Sequence, residues 1–282
     1  MVELIHNIVE TDFNKSLAPT YNLSILLGVD RLSYLVSDAQ QQILSLRVYQ
    51  LPKETSVPAL QQLLLEDAFL KSPFKQCTIG VFSARFSLVP MALFDEENAR
   101  EYLDKMVSLK EQDQVGRDAI PVLEAVNLYA YGATYLELLQ GHFKEASVVH
   151  VSTGMIQNFI TNFDSKQSKN IFLHIHGNNI SLTVVDHDKL LFHNLFEFKA
   201  SPDCLYYVLL VFKQLGLKPE KHPLYITGEL VVDSEIHQLL YKYIKTIHFV
   251  NRPNFYGFGE QLTASFPQHF FFDLYSLKLC EL

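Results

Sequence analysis

Two stretches of this chain carry the same punctuation. Leu23-Ser-Ile-Leu-Leu-Gly-Val-Asp-Arg-Leu-Ser-Tyr-Leu-Val-Ser-Asp38 sets apolar runs on both sides of a turn at Gly28 to Arg31. Ile171-Phe-Leu-His-Ile-His-Gly-Asn-Asn-Ile-Ser-Leu-Thr-Val-Val-Asp186 does the same around Gly177. Each reads as a β-hairpin. A third apolar run follows each one, Ile43 to Leu51 and Leu190 to Phe198, so both halves open with a three-strand meander. Ser33 and Asp38 match Ser181 and Asp186 at one offset of 148 residues, whereas Gly28 aligns with Gly177 only across a one-residue gap. Helices and strands alternate after each meander, and internal duplication is the economical explanation.

In the first half a helix is expected from Ser56 and Pro58, with Leu60, Leu63, Leu64 and Phe69 in helical spacing. Cys77 to Phe82 reads as a strand. Phe86 to Phe94 leads into a helix over Glu96 to Met106, capped by Asp95. The polar run from Leu109 to Asp118 reads as a solvated loop. Val126 to Tyr131 and Ser147 to Val151 read as strands, Thr134 to Leu139 and Thr153 to Phe163 as helices. The polar stretch Asp164 to Lys169 suggests a boundary, giving domains 1–163 and 164–282. In the second half Ser201 is the expected N-cap of a helix with Pro202 first and Asp203 in the first turn, stopping at Gly216. Leu224 to Gly228 is a strand, Ser234 to Ile244 a helix and Thr246 to Val250 a strand. The tail, with Phe270, Phe271, Phe272, Leu274, Tyr275 and Leu277, is too apolar to hang free. It packs back on the body or docks a partner.

Of the 282 residues 48% are hydrophobic and 19% charged, enough to bury a sizeable core and too apolar for disorder. Net charge is −8, with −7 carried by residues 1–150, so neither half has the basic surplus that nucleic-acid backbones require. The start, Met1 to His6, has no basic segment followed by an apolar stretch, and the longest apolar run, Leu205 to Phe212, is far short of the ~20 residues that span a bilayer. Cys77, Cys204 and Cys280 form no C-x-x-C pair and read as reduced thiols. A cytoplasmic protein without membrane insertion is expected.

A three-strand meander followed by helix, strand, helix, strand is the plan of a ribonuclease H-like unit. Two copies in tandem resemble the actin-like ATPase fold, an α/β architecture of two ribonuclease H-like domains around a central cleft, and more distantly the pilus-assembly and cell-division actin homologues. The Phe86-Ser-Leu-Val-Pro-Met-Ala-Leu-Phe94 box and the tail His269 to Glu281 resemble a Bacteroidetes family of unknown function with this fold. The resemblance implies a nucleotide between the halves, its phosphates held by the two hairpin turns. Each turn of an active member carries an Asp-x-Gly motif whose Asp serves Mg²⁺ and the attacking water.

Both halves depart from that pattern. Leu26-Leu27-Gly28 stands where the first Asp-x-Gly belongs, and Ile175-His176-Gly177 or His174-Ile175-His176 where the second does. The adenosine-side turn is Thr227-Gly228-Glu229, and an inward carboxylate there would repel phosphate. A degenerate nucleotide site would consist of Gly28, Asp30, Gly177, Asn178 and Gly228. No catalytic residue and no metal ligand is assigned. No cofactor is expected, and ATP with Mg²⁺ is the one to test. His174 and His176 share a strand face, and His193 could lie near them. They read either as a metal set or as histidines lining the cleft or bonded to backbone. Cys204, in the first turn of a helix, is weighed as a thiol of depressed pKa and lacks an identifiable partner base.

The expected function is a non-hydrolysing binding or scaffold protein with a protein partner, since such relatives commonly recruit a peptide from a membrane-associated partner. The alternative is a divergent ATPase or sugar-kinase-like phosphotransferase using displaced carboxylates. Oligomeric state is open.

Overall fold

The computed structural model describes residues 2–28, 30–52, 57–163 and 169–280. Contacts divide the chain into two compact units, one from residues 1–154, 254–266 and 276–282, the other from 155–253 and 267–275. The expected boundary after residue 163 meets Asp164, outside the described residues.

In chain order the first unit holds β1 (Glu3–Val9), β2 (Asn22–Leu27), β3 (Arg31–Ser37), β4 (Gln42–Gln50), α1 (Val57–Glu66), β5 (Gln76–Val81) and β6 (Phe86–Pro90). Then come α2 (Ala99–Asp104), β7 (Asp113–Ile120), β8 (Ala125–Gly132), α3 (Ala133–His142), β9 (Ser147–His150) and the start of α4 (Val151–Thr161). The second unit holds β10 (Asn170–His176), β11 (Asn179–Asp186), β12 (Lys189–Glu197), α5 (Ser201–Gln214), β13 (Leu224–Gly228), α6 (Glu235–Tyr243) and β14 (Ile247–Phe249). β15 (Gly257–Phe258) and α7 (Glu260–Ser265) return to the first unit, and α8 (Phe272–Ser276) follows.

The duplication is visible in the strand order. β4-β3-β2-β5-β9 and β12-β11-β10-β13-β14 run in the same sequence across their sheets, and in each the meander is antiparallel while the two following strands are parallel to its first strand. β1 and β15 extend the first sheet along β4. β2 ends at Leu27 and β3 begins at Arg31, whereas β10 ends at His176 and β11 begins at Asn179, which is the one-residue gap in the glycine alignment. Gly177 takes φ +55° in that short turn, as a tight two-residue hairpin requires.

Several local expectations change. Ser56 lies outside the described residues, and α1 runs from Val57 with Phe69 beyond its end. Phe86–Pro90 and Asp113–Ile120 are strands, flanking β8 in a separate three-stranded sheet. The second of these replaces most of the expected loop. Its pattern is hard to read because Asp113 and Asp118, on opposite faces of the strand, are both buried through partners elsewhere in the fold. Asp95 does cap, accepting from the Glu97 amide, but opens a short 3-10 turn that precedes α2. At α5 the N-cap is Ala200, not Ser201. The Asp203 carboxylate accepts from the Lys199 and Ala200 amides, which leaves the Ser201 hydroxyl to donate to Glu235. The loop at Phe255–Gly259 carries β15, and the tail is helical and buried.

Each unit has its own core. In the second, β10 is buried on both faces: Ile171, Leu173 and Ile175 meet Val208, Phe212 and Leu240 of the covering helices. On the opposite face Phe172 stacks on Phe159 of α4 at 4.0 Å, and Phe159 on Phe272 of α8 at 4.9 Å. The strand's even-numbered face, His174 and His176 included, thus lies under the returning C-terminal segment. No helix among the described residues is long and apolar enough to cross a membrane.

Candidate functional site

The five residues expected at a nucleotide are divided between the units, Gly28 and Asp30 in the first and Gly177, Asn178 and Gly228 in the second. At the first hairpin the amide of Gly28 donates to the Arg31 carbonyl at 2.9 Å, and the Asp30 carbonyl accepts from the Leu51 amide and the Gln50 side chain, both at 2.7 Å. Gly28 also lines a cavity of about 280 Å³ with Leu27, Val81, Phe82, Tyr135 and Leu136. Arg85 is the one cation among its lining residues, and its guanidinium is held in two hydrogen bonds by Asp113.

At the second hairpin the Asn178 carbonyl accepts from the Phe198 amide at 2.9 Å. Gly228 sits beside Ile175 in the parallel β10–β13 pair with φ +85°, its amide donating to the His269 carbonyl at 2.7 Å. The Glu229 amide donates to the Ile175 carbonyl at 2.8 Å. A Cβ on Gly228 would stand 2.1 Å from that carbonyl oxygen, so glycine here serves strand closure. The amides of Gly28, Gly228 and Glu229 thus donate to carbonyls within the protein.

The groups that do converge are His174, His176 and Asp273. One ligand-type atom of each lies within 4.8 Å of the other two. His174 Nε2 is 3.2 Å and His176 Nδ1 3.0 Å from Asp273 Oδ2, while Oδ1 accepts from the Leu274 amide at 2.9 Å. The other nitrogen of His174, Nδ1, is 3.0 Å from the hydroxyl of Thr227, its parallel neighbour in β13. All three residues are buried, with 4%, 9% and 5% of their surface exposed. Burial pushes the Asp273 carboxyl up, but the two imidazoles outweigh it and hold the group well below the usual carboxylate range.

His193 does not join this cluster: its Nδ1 bonds the Thr183 hydroxyl at 2.8 Å. Sequence spacing brings His174 and His176 together because alternate strand residues share a face. It misses Asp273, whose approach is tertiary, and the hint is that an acid set among the aromatic residues of an apolar tail must go somewhere. Cys204 is fully buried and its thiol is pushed up to about 12, the reverse of an activated cysteine.

Solved structures share this architecture. A Bacteroides thetaiotaomicron protein with an actin-like ATPase fold and unknown function aligns at TM-score 0.81 and 23% identity, over 95% of this chain and 99% of that one. A PilM–PilN type IV pilus biogenesis complex aligns at 0.62 and 16%, over 92% and 97%. The ethanolamine utilization protein EutJ from Carboxydothermus hydrogenoformans aligns at 0.50 and 9%, over 96% and 92%. None of the curated proteins compared by sequence matches the chain. The chain has the actin-like ATPase fold. The family model described as protein of unknown function (DUF3822) matches residues 10–247, and the chain belongs to that family.

Proposed function

We propose that this protein is a non-hydrolysing member of the actin-like fold that binds a protein partner. The observation that carries the reading is the state of the turns. Leu26 stands where the metal-serving acid of the first turn belongs and Ile175 or His174 where that of the second does, and the amides of Gly28 and Gly228 donate to Arg31 and His269 carbonyls. Phosphoryl transfer depends on positioned charge and metal, so a turn pair without those acids lacks the means of stabilising the transition state. The cavity beside Gly28 suits an apolar side chain better than an anion, because its one cation is already neutralised by Asp113. A peptide from a membrane-associated partner is the proposed occupant, supported by the fold shared with the PilM–PilN complex.

The test is thermal unfolding with and without ~1 mM ATP or ADP and Mg²⁺. A ligand at about 100 times its Kd adds ~2.7 kcal/mol, which raises the midpoint of a chain this size by roughly 5–10 °C. No shift is expected. A shift of that size, followed by Mg²⁺-dependent turnover lost in Asp30→Ala, would replace this reading with the divergent phosphotransferase. A photo-crosslinker at Tyr135, which lines the cavity, should capture a membrane-fraction protein that the same probe at exposed Tyr241 does not.

A further inference from the structure

We propose that His174, His176 and Asp273 form a binding site for one first-row divalent transition metal, of the zinc class, which clamps α8 onto β10. Two imidazoles and a carboxylate are a ligand set that zinc accepts with a fourth position left to solvent.

Three observations support it. The first is spacing. Zn–N and Zn–O bonds of about 2.0–2.1 Å in tetrahedral geometry put neighbouring ligand atoms roughly 3.3 Å apart. The two imidazole nitrogens stand 3.2 and 3.0 Å from the same carboxylate oxygen, and the whole set lies within 4.8 Å. Both converge on Oδ2 while the Leu274 amide takes Oδ1, so the carboxylate is oriented by the backbone of its own helix.

The second is an unmet hydrogen-bonding demand. His174 is 4% exposed, and its Nε2 meets only the Asp273 carboxylate, 3.2 Å away, among the described residues. Ser181, directly opposite His174 in β11 and 2% exposed, keeps a hydroxyl with no hydrogen-bond partner among them. Directly paired strand residues share a face. A buried hydroxyl left in this state is costly, and a hydrated cation beside it would remove that cost.

The third is support behind a ligand. Metal-bound histidines ordinarily hold their second nitrogen to an oxygen of the protein, and Thr227 Oγ1 does this for His174 Nδ1 at 3.0 Å. The Asp273 carboxylate is the one acidic ligand of the set and supplies negative charge to a dication. His176, at the hairpin end of β10 and the most exposed of the three, is the side from which an ion would enter.

The experiment uses the full chain, stripped with a chelator and titrated with Co²⁺ and then Zn²⁺. One equivalent of cobalt per chain should give visible ligand-field absorbance, lost on adding zinc. Zinc at about 100 times its Kd should raise the unfolding midpoint by roughly 5–10 °C. Thr227→Val should weaken binding about 10–100-fold by releasing the second nitrogen of His174. His176→Gln, at the rim of the cluster, should weaken it further, and serves where Asp273→Asn fails to fold. Failure of stripped wild type to take up cobalt would overturn the proposal and leave a metal-free His–Asp–His hydrogen-bonded set. Equal uptake by wild type and His176→Gln would overturn it too, placing the ion on surface histidines.

Discussion

At the scale of single residues, the most telling side chain of the first unit is Asp118, on the strand that reads as a loop. It accepts from the His150 amide and the Thr153 hydroxyl at 2.7 Å each and from the Tyr129 hydroxyl at 3.0 Å. Burial pushes its carboxyl up to about 6, and these donors offset only part of that. A carboxyl that holds its proton more tightly folded than unfolded stabilises the fold below the unfolded value near 3.8 and loses that contribution as pH rises through about 6. His150, which burial lowers to about 4, acts in the opposite sense, since its contribution is lost as pH falls from about 6.5 towards 4. The two slopes oppose each other in the wild type. Asp118→Asn should therefore cost about 1 kcal/mol more at pH ~5 than at pH ~7.5, by urea unfolding. An equal cost at both would mean that Asp118 does not titrate in this window. A lone sequence cannot supply this: Asp118 and Asp113 look like loop acids until Thr153, His150 and Arg85 are placed around them.

Among the elements, the two hairpins separate what turn chemistry requires from what packing requires. Gly177 has φ +55°, and a methyl group added there would meet nothing within 4 Å, so Gly177→Ala should cost only the left-handed backbone penalty, about 1 kcal/mol. Gly228 combines φ +85° with the Ile175 carbonyl at 2.1 Å from where a Cβ would stand. Gly228→Ala should cost roughly 3 kcal/mol or more, because β10 and β13 would have to part. Chemical denaturation of the two variants side by side checks this, and similar costs would show that the strand pair yields easily. The meander glycines are legible in the sequence as turn markers. The closeness of Gly228 to Ile175 is not, since parallel pairing joins residues far apart in the chain.

For the whole molecule, the C-terminal segment contributes to both units: residues 267–275 to one and 276–282 to the other. Phe272, Leu274, Tyr275 and Leu277 are buried to within 4% exposure or less. Burying a large apolar side chain stabilises by about 1.5–3 kcal/mol, and net stabilities are only ~5–15 kcal/mol. Truncation after Phe266 should thus abolish cooperative unfolding in circular dichroism. A shortened chain that still melted in one sharp transition would make the tail peripheral. The contiguous halves 1–163 and 164–282 are then best regarded as the proposed units of duplication rather than of stability, because each compact unit takes residues from beyond position 253.

The sequence by itself determined the repeated meander, the helices and strands with clear periodicity, the actin-like plan that two such repeats imply, and the loss of both hairpin acids. These are local signals: apolar spacing, turn residues and caps act over a few residues and are written in order along the chain. Only the tertiary structure decided that Asp118 lies in a sheet, that Gly228 stands against Ile175, and that Asp273 comes to His174 and His176. Each of those depends on which distant segment covers which face. The covering is selected by burial of Phe172, Phe159 and Phe272 against one another, and apolar packing specifies no partner in the sequence because it has no direction.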